Sequence, residues 1–325
     1  MPSRSTLADA NKRRSEAIFE YIFRNLYATY HDRFSSDGST NKEPKWMKRL
    51  QIIDSTTITL FSNLLFKGVG RHPKTGKKKG GIKVHTVIHA NEGVPSDIRF
   101  TSAATNDSFM LKPNSLNKGD IMAMDRAYID YEKFEEMTQR GVIYVTKMKE
   151  GLKFNIIDDT MYQTRDGLME VRIQRVSFTK EKKPGRIVHQ ARIITYVDEK
   201  KHKLISLLTN DGESDPDEII AIYRKRWEIE LLFKQMKQNF PLKYFYGESA
   251  NAIKIQIWIT LIANLLLMVM KKGLTRSWSF FGLATMVRIT LMYYVDFYSL
   301  FNHPEKDWEA LLRTENEIPK QLSLF

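Results

Sequence analysis

From Ile222 to Lys237 the chain reads as one helix, and its polar residues are set on that helix in an order that a plain surface helix does not need. The stretch is made of good helix formers without Gly or Pro, and Ser214-Asp215-Pro216-Asp217-Glu218 ahead of it is an N-terminal start signal. At about 100° per residue, Tyr223, Arg226, Glu230 and Lys237 fall within roughly 60° of one another. Ile222, Ile229, Leu232, Phe233, Met236 and Phe240 fill an adjoining stripe that would face a core. One carboxylate therefore stands between an arginine and a lysine, with a tyrosine a turn beyond. That set suits a site for phosphate and a divalent metal. The plainer reading is a solvated face with an i,i+4 pair, Arg226–Glu230.

Composition narrows the partners. A chain of 325 residues with 42% hydrophobic content can build one large domain with an insertion, or two domains. A formal charge of +13 favours a polyanion, nucleic acid first and an acidic membrane surface second. The absence of cysteine excludes disulfides and cysteine-ligated zinc. Met1-Pro2-Ser3-Arg4-Ser5 has no apolar core of a secretory signal, so none is expected. The apolar run from Ile255 to Met270, interrupted by Gln256, Thr260 and Asn264, is short for a membrane span and reads as a buried helix.

In chain order, residues 13–34 carry the three-four rhythm of an amphipathic helix, which Ser35-Ser36-Asp37-Gly38-Ser39 breaks. Leu50 to Leu60 is β-branched and apolar, a strand with Asp54 near its middle. An unpaired buried charge is costly, so that carboxylate either meets solvent or belongs to a site. Lys67 to Lys83 is a basic, glycine-containing loop, either a phosphate contact or a solvated charge run. Lys83–His89 and Ile98–Thr101 read as strands across a Gly93-Val94-Pro95 turn; His85 and His89 share a face without a third ligand nearby. Asn106-Asp107-Ser108-Phe109 looks like a helix start. A short strand then ends in Asp125-Arg126-Ala127-Tyr128, where the aspartate is either a site residue or a cap; Asp107, Asp120 and Asp130 are its rivals. Tyr131–Gly141 reads as helix and Val142–Lys147 as strand. Alternation through residues 148–209 suggests a small antiparallel β subdomain with an exposed basic turn at Thr179–Arg186. Helices are expected at Asn251–Lys271 and Trp278–Tyr298, and after Pro304 around Trp308–Arg313. Periodicity alone gives a mixed α/β chain.

The spacing Tyr223-x2-Arg226-x3-Glu230-x6-Lys237 resembles the Y-R-E-K signature of DDE transposases of the insertion-sequence-four group. The stretch around Asp54 resembles that family's first acid followed by hydroxyl residues, and Asp125-Arg126-Ala127-Tyr128 its second-acid motif. The resemblance spans roughly residues 1 to 300. It implies an α/β fold: a ribonuclease-H-like catalytic core interrupted by a β-rich insertion, with flanking helices. The corresponding segments are 1–48 (helical, a remnant of an end-binding region), 49–147 (first part of the core), 148–209 (insertion), 210–275 (second part, with the Glu-bearing helix) and 276–325 (C-terminal helices). Family members usually carry a longer N-terminal region, so part of an end-binding domain is expected to be missing.

The resemblance also implies a site. Asp54, Asp125 and Glu230 would be the catalytic acids and metal ligands. Tyr223, Arg226 and Lys237 would contact DNA phosphate. Three carboxylates converging without metal repel one another; two Mg²⁺ ions about 3.5–4 Å apart, with Mn²⁺ able to substitute, relieve that conflict. The implied activity is cut-and-paste transposition: metal-dependent cleavage at transposon ends and strand transfer into target DNA. Its partners are double-stranded DNA (terminal inverted repeats and target) and a second copy, at least a dimer in the synaptic complex, in the cytoplasm with the nucleoid and with no membrane. Trp227 is either core or a platform for a flipped base. Two other readings remain: an inactive truncated transposase that only binds DNA, and a ribonuclease-H-like nuclease that cuts without joining.

Overall fold

The computed structural model describes residues 4–34, 43–59, 81–165, 167, 169–182, 185–198, 202–242, 244–293 and 295–304. Its helices are α1 (Arg4–Arg13), α2 (Glu16–Phe34), α3 (Tyr131–Gln139), α4 (Pro216–Lys225), α5 (Trp227–Asn239), α6 (Ala250–Lys272), α7 (Phe280–Thr290) and α8 (Phe297–Asn302). Its strands are β1 (Leu50–Thr59), β2 (Gly81–His89), β3 (Pro95–Ser102), β4 (Ile121–Met124), β5 (Ile143–Lys147), β6 (Asn155–Gln163), β7 (Glu170–Lys182), β8 (Gly185–Asp198) and β9 (Lys203–Thr209). The chain divides into two compact units, Ser35–Lys234 and Met1–Phe34 with Gln235–Phe325. Helix α5 runs across that boundary. The basic loop expected at Lys67–Lys83 lies outside the described residues up to position 80. So do the break at Ser35–Ser39, residues 183–184 of the basic turn and the short helix expected near Trp308.

In the unit Ser35–Lys234 the described strands form one sheet in the order β3-β2-β1-β4-β5-β9-β8-β7-β6. The first five carry the ribonuclease-H-like arrangement. β2 is antiparallel to β1 and β3, while β1, β4 and β5 run parallel. The parallel centre needs cover on both faces, and β4 is buried at every position. On the face of Ile53, α3 packs through Phe134, which stacks on Tyr144 with ring centres 3.9 Å apart, and through Tyr131, which stacks on Phe178 at 4.8 Å. Helix α4 packs near β4 and β5. The end of α3 is fixed by Gly141 at φ 68°: Gly141 N–H donates to Thr138 O and Val142 N–H to Met137 O, the glycine-dependent helix stop that turns the chain into β5.

Several expectations are corrected in this unit. The strands of residues 148–209 are antiparallel, but they do not form a sheet of their own. β9 pairs with β5 through Val145–Thr209 and Lys147–Leu207, so β6–β9 extend the central sheet. An unpaired β5 edge would be exposed backbone, and β9 covers it. The helix expected at Asn106 is two 3-10 turns, Asp107–Met110 and Pro113–Ser115; Pro113 has no N–H with which to continue a helix. Asn106 does cap the first turn, accepting from Ser108 N–H.

The helix expected across Ile222–Lys237 is two, meeting at Arg226. Arg226 N–H donates to Tyr223 O and Ile229 N–H to Arg226 O, three residues back in each case. The junction is therefore a tightened turn rather than a break, and Arg226 keeps helical dihedrals of φ −51° and ψ −28°.

In the other unit, α2 packs on α6 with Phe23 against Trp258, ring centres 5.5 Å apart, and Lys254 pairs with Glu16 at 2.6 Å. Asn251 accepts from Glu16 N–H and donates to Asn11 and Arg14 carbonyls, closing the α1–α2 corner onto α6. α6 is long and apolar enough to cross a membrane by length and composition, yet more than half of its most apolar stretch is buried. Ile253, Ile257, Leu261 and Leu265 are all core residues. The helix expected at Trp278–Tyr298 is two, α7 and α8, because Asp296 starts a new one by accepting from Ser299 N–H.

Candidate active site

Asp54 sits mid-strand in β1 with its side chain 16% exposed. Its Oδ1 accepts from Ser55 N–H at 2.7 Å and its Oδ2 from Arg226 Nη1 at 3.3 Å. The β1–β4 register pairs Ile53 with Met124, so Asp54 and Asp125 are the next residues along two adjacent parallel strands. Asp125 leaves β4 to cap the 3-10 turn Arg126–Tyr128, its Oδ1 accepting from Ala127 N–H at 2.9 Å. Capping and closeness to Asp54 are thus one arrangement. Glu230, on the first turn of α5, accepts from Arg226 Nη2 at 2.6 Å.

Burial and neighbouring charges act together on Asp54. The Asp54 carboxyl is pushed up to about 6, first by burial and then by the charges of Asp125 and Glu230, against the opposing pull of Ser55 N–H and Arg226. Arg226 lies between two carboxylates with its side chain 9% exposed, and its guanidinium stands 5.5 Å from the centre of the Tyr223 ring. Burial alone would weaken its charge; Tyr223, Glu230 and Asp54 outweigh burial and hold it protonated. The Tyr223 hydroxyl is raised above its ordinary range by burial. Lys237, further along α5 in the other unit, is lowered by burial. Among the described residues, no three acidic or histidine side chains stand close enough to enclose an ion as they lie.

The rival carboxylates have other tasks. Asp120 accepts from Asn117 N–H and Gln51, and Asp130 caps α3. Asp107 accepts from Ser55 Oγ at 2.7 Å and pairs with Lys83 at 3.2 Å. Trp227 is 53% exposed rather than core.

His85 is buried at 2% exposure, 2.8 Å from Thr101 Oγ1 and 3.4 Å from the Tyr128 hydroxyl. No local sequence pattern reports this network, because His85, Thr101 and Tyr128 come from β2, β3 and the turn after β4. Burial pushes His85 down to about 4, with Lys83 and Arg99 adding to the effect and Asp107 opposing it. The folded protein therefore keeps His85 neutral where the unfolded chain, titrating near 6.5, takes up a proton. This contribution is complete above pH 6.5 and is lost as pH falls toward 4. Denaturant unfolding at pH 7 and 4.5 should show a smaller loss for His85→Gln than for the parent; equal losses would refute the assignment.

Residues 45–266 match the family model described as Transposase DDE domain. A Sinorhizobium fredii protein provisionally named transposase y4zB is 29% identical over 271 residues, covering 82% of this chain and 71% of its own length. A Synechocystis protein, provisionally named a transposase for the insertion sequence element IS4SA, is 27% identical over 268 residues, covering 81% of this chain and 70% of its own. The cryo-EM structure of the piggyBac transposase synaptic complex with hairpin DNA aligns at a TM-score of 0.40 and 12% identity, over 85% of this chain and 59% of that one. Because the family match takes in more than half of its length, the chain belongs to the DDE transposase family.

Proposed function

We propose that this chain is an insertion-sequence transposase of the Y-R-E-K group that cuts DNA at its element's ends and joins the freed ends to target DNA, with Asp54, Asp125 and Glu230 as its acids. The observation that carries the reading is Asp54 itself. It shares the Arg226 guanidinium with Glu230, at 3.3 Å and 2.6 Å, and it follows the last β1–β4 pair, Ile53–Met124, on its strand as Asp125 does on the other, so residues far apart in sequence converge on one place.

The donor set fits Mg²⁺ or Mn²⁺. All its donors are carboxylate oxygens, as hard divalent cations prefer. Among the described residues no hydrogen bond reaches Asp125 Oδ2 or Glu230 Oε2. Asp54 and Asp125 would hold ions in common, and Glu230 would complete the second position. Bound ions would supply activation of the attacking water or 3′-hydroxyl and neutralise charge on the leaving oxygen. The side chains then orient the strand. Arg226 offers a planar fork to a phosphate and Lys237 a point charge, while Tyr223 braces the nucleotide beside them. In the free protein Arg226 supplies positive charge to Asp54 and Glu230, which keeps two half-buried carboxylates together until DNA arrives. The partners would be the element's terminal inverted repeats and target DNA in the cytoplasm, with at least two copies to hold two ends.

The test is a labelled duplex carrying the element's own end, incubated with Mg²⁺ or Mn²⁺ and with parent or Glu230→Gln protein. The parent should give nicked and joined products; the variant should give neither while shifting the duplex equally in a gel. Nicks without joined products would make the chain a nuclease. Binding without cutting in either metal would make it a DNA-binding relic and end the catalytic assignment.

A further inference from the structure

Asp107 has no part in the chemistry above, yet its side chain is only 16% exposed and both its carboxylate oxygens are engaged. Ser55 Oγ donates to Oδ1 at 2.7 Å and Lys83 Nζ to Oδ2 at 3.3 Å. The Lys83 ammonium also donates to Thr105 O at 2.9 Å. From the other side Lys133 of α3 pins the same 3-10 turn, Asp107–Met110, donating from Nζ to Ser108 O at 2.5 Å and to Leu111 O at 2.8 Å. A counter-ion for Lys83 would not need the bond to Ser55.

Two contacts of this turn lead to the acids. It packs beside the turn Arg126–Tyr128, which Asp125 caps. Its carboxylate holds Ser55, the peptide neighbour of Asp54, and Ser55 N–H donates to Asp54 Oδ1 at 2.7 Å. Side chains alternate along a strand, so Ser55 shares the face of Ile53, and Asp54 lies on the opposite face with Arg226. Asp107 thus acts from behind the site. The backbone leaves room for such a hold. The β1–β4 pairing ends at Ile53–Met124, one residue before each acid, and beyond it β1 is paired with β2 alone among the described residues.

We propose that Asp107 is a positioning residue: its turn packs on the turn carrying Asp125 while its carboxylate holds Ser55 on the strand carrying Asp54, and so it fixes the separation of two carboxylates that share a divalent cation. The proposal rests on the acid-site reading above. Groups that orient ligands in this way are worth roughly 10–100-fold in metal affinity. A purely structural role would instead show in melting temperature alone.

Isothermal titration of Mn²⁺ into the full chain separates these cases, with thermal melting run in parallel. Ser55→Ala removes the hydroxyl that Asp107 holds; Ser55→Thr keeps one. Ser55→Ala should weaken Mn²⁺ about tenfold, and Ser55→Thr should bind it like the parent. Asp107→Ala should weaken it at least as much as Ser55→Ala, and the double variant no more than Asp107→Ala alone, because both cut the same link. Asp107→Ala also strands Lys83, so the two serine variants decide the matter if that protein does not fold. Asp125→Asn should weaken binding further. Parent-like affinity in Ser55→Ala, or equal losses in Ser55→Ala and Ser55→Thr, beside a weakened Asp125→Asn would overturn the positioning role and leave the acid site standing. Parent-like affinity in Asp125→Asn would overturn the acid site, and this proposal with it.

Discussion

Asp54→Asn should abolish cleavage and at the same time make the protein more stable near neutral pH. The first effect follows from the proposed site: losing a carboxylate shared by the ions forfeits several kcal/mol of transition-state charge stabilisation, roughly a thousandfold in rate. The second follows from Asp54's surroundings. Its carboxyl titrates near 6 in the folded chain against 3.8 in a free one, so ionising it in place costs free energy even beside Arg226. Asparagine keeps an acceptor for Ser55 N–H and Arg226 without that charge, a gain on the order of 2 kcal/mol. The sign with pH is fixed. Between pH 4 and 6 the folded parent holds a proton that the unfolded chain has released, so the parent loses stability as pH rises through that window. The advantage of the variant should therefore be absent at pH 4, grow to pH 6 and stay level above it. Single-turnover cleavage together with urea unfolding at pH 4.5 and 7.5 measures both effects. A variant that cuts within tenfold of the parent, or that is less stable at pH 7.5, would show that Asp54 is a structural ion-pair partner. Stability given up at one carboxylate is what a site held ready for cations entails.

The parts of this arrangement that local sequence encodes were readable, and those that depend on distant contacts were not. β1 declares itself through a β-branched run, and α6 through a long apolar stretch between Ser249 and Gly273. The pair Arg226–Glu230 follows from helical spacing. Its other half, Arg226–Asp54, joins residues 172 positions apart, and no local pattern reports it. The tightened turn at Arg226 is equally silent, because every residue there is compatible with a continuous helix. The division between α7 and α8 was written in the sequence as Asp296, a helix-starting residue that the apolar rhythm around it obscured. Among the aspartates, residue type could not distinguish Asp125 from Asp107, Asp120 or Asp130. What distinguishes them is register: of the four, only Asp125 directly follows the last β1–β4 pair, Ile53–Met124, as Asp54 does on its own strand. The pairing of β9 with β5 is likewise a choice of edge, made by long-range burial rather than by the strands' own sequences.

Arg226→Met should be the most destabilising single change at this site, by roughly 2–3 kcal/mol at pH 7.5, below the scale for a fully buried ion pair because solvent partly screens the two carboxylates left behind. Methionine preserves most of the apolar stem and isolates the loss of charge. Two carboxylates would remain, Asp54 at 16% and Glu230 at 34% side-chain exposure, with the guanidinium that bridged them gone. One feature works the other way: Arg226 Nε is buried without a hydrogen-bond partner, and its removal returns part of the loss. The sign with pH again discriminates. Without Arg226 the Asp54 carboxyl rises further, so acidification to pH 5 protonates it and shrinks the deficit. Asp54→Asn in the same chain should shrink it as well, the two changes together costing clearly less than their sum. Mn²⁺ should raise the melting temperature of Arg226→Met more than that of the parent, since the ion replaces the missing positive charge. If Arg226 acted only on DNA phosphate, the variant would melt like the parent at every pH and lose duplex affinity alone. Melting curves at pH 5 and 7.5, with and without Mn²⁺, therefore decide whether this arginine is a counter-ion for the acids before it is a ligand for DNA.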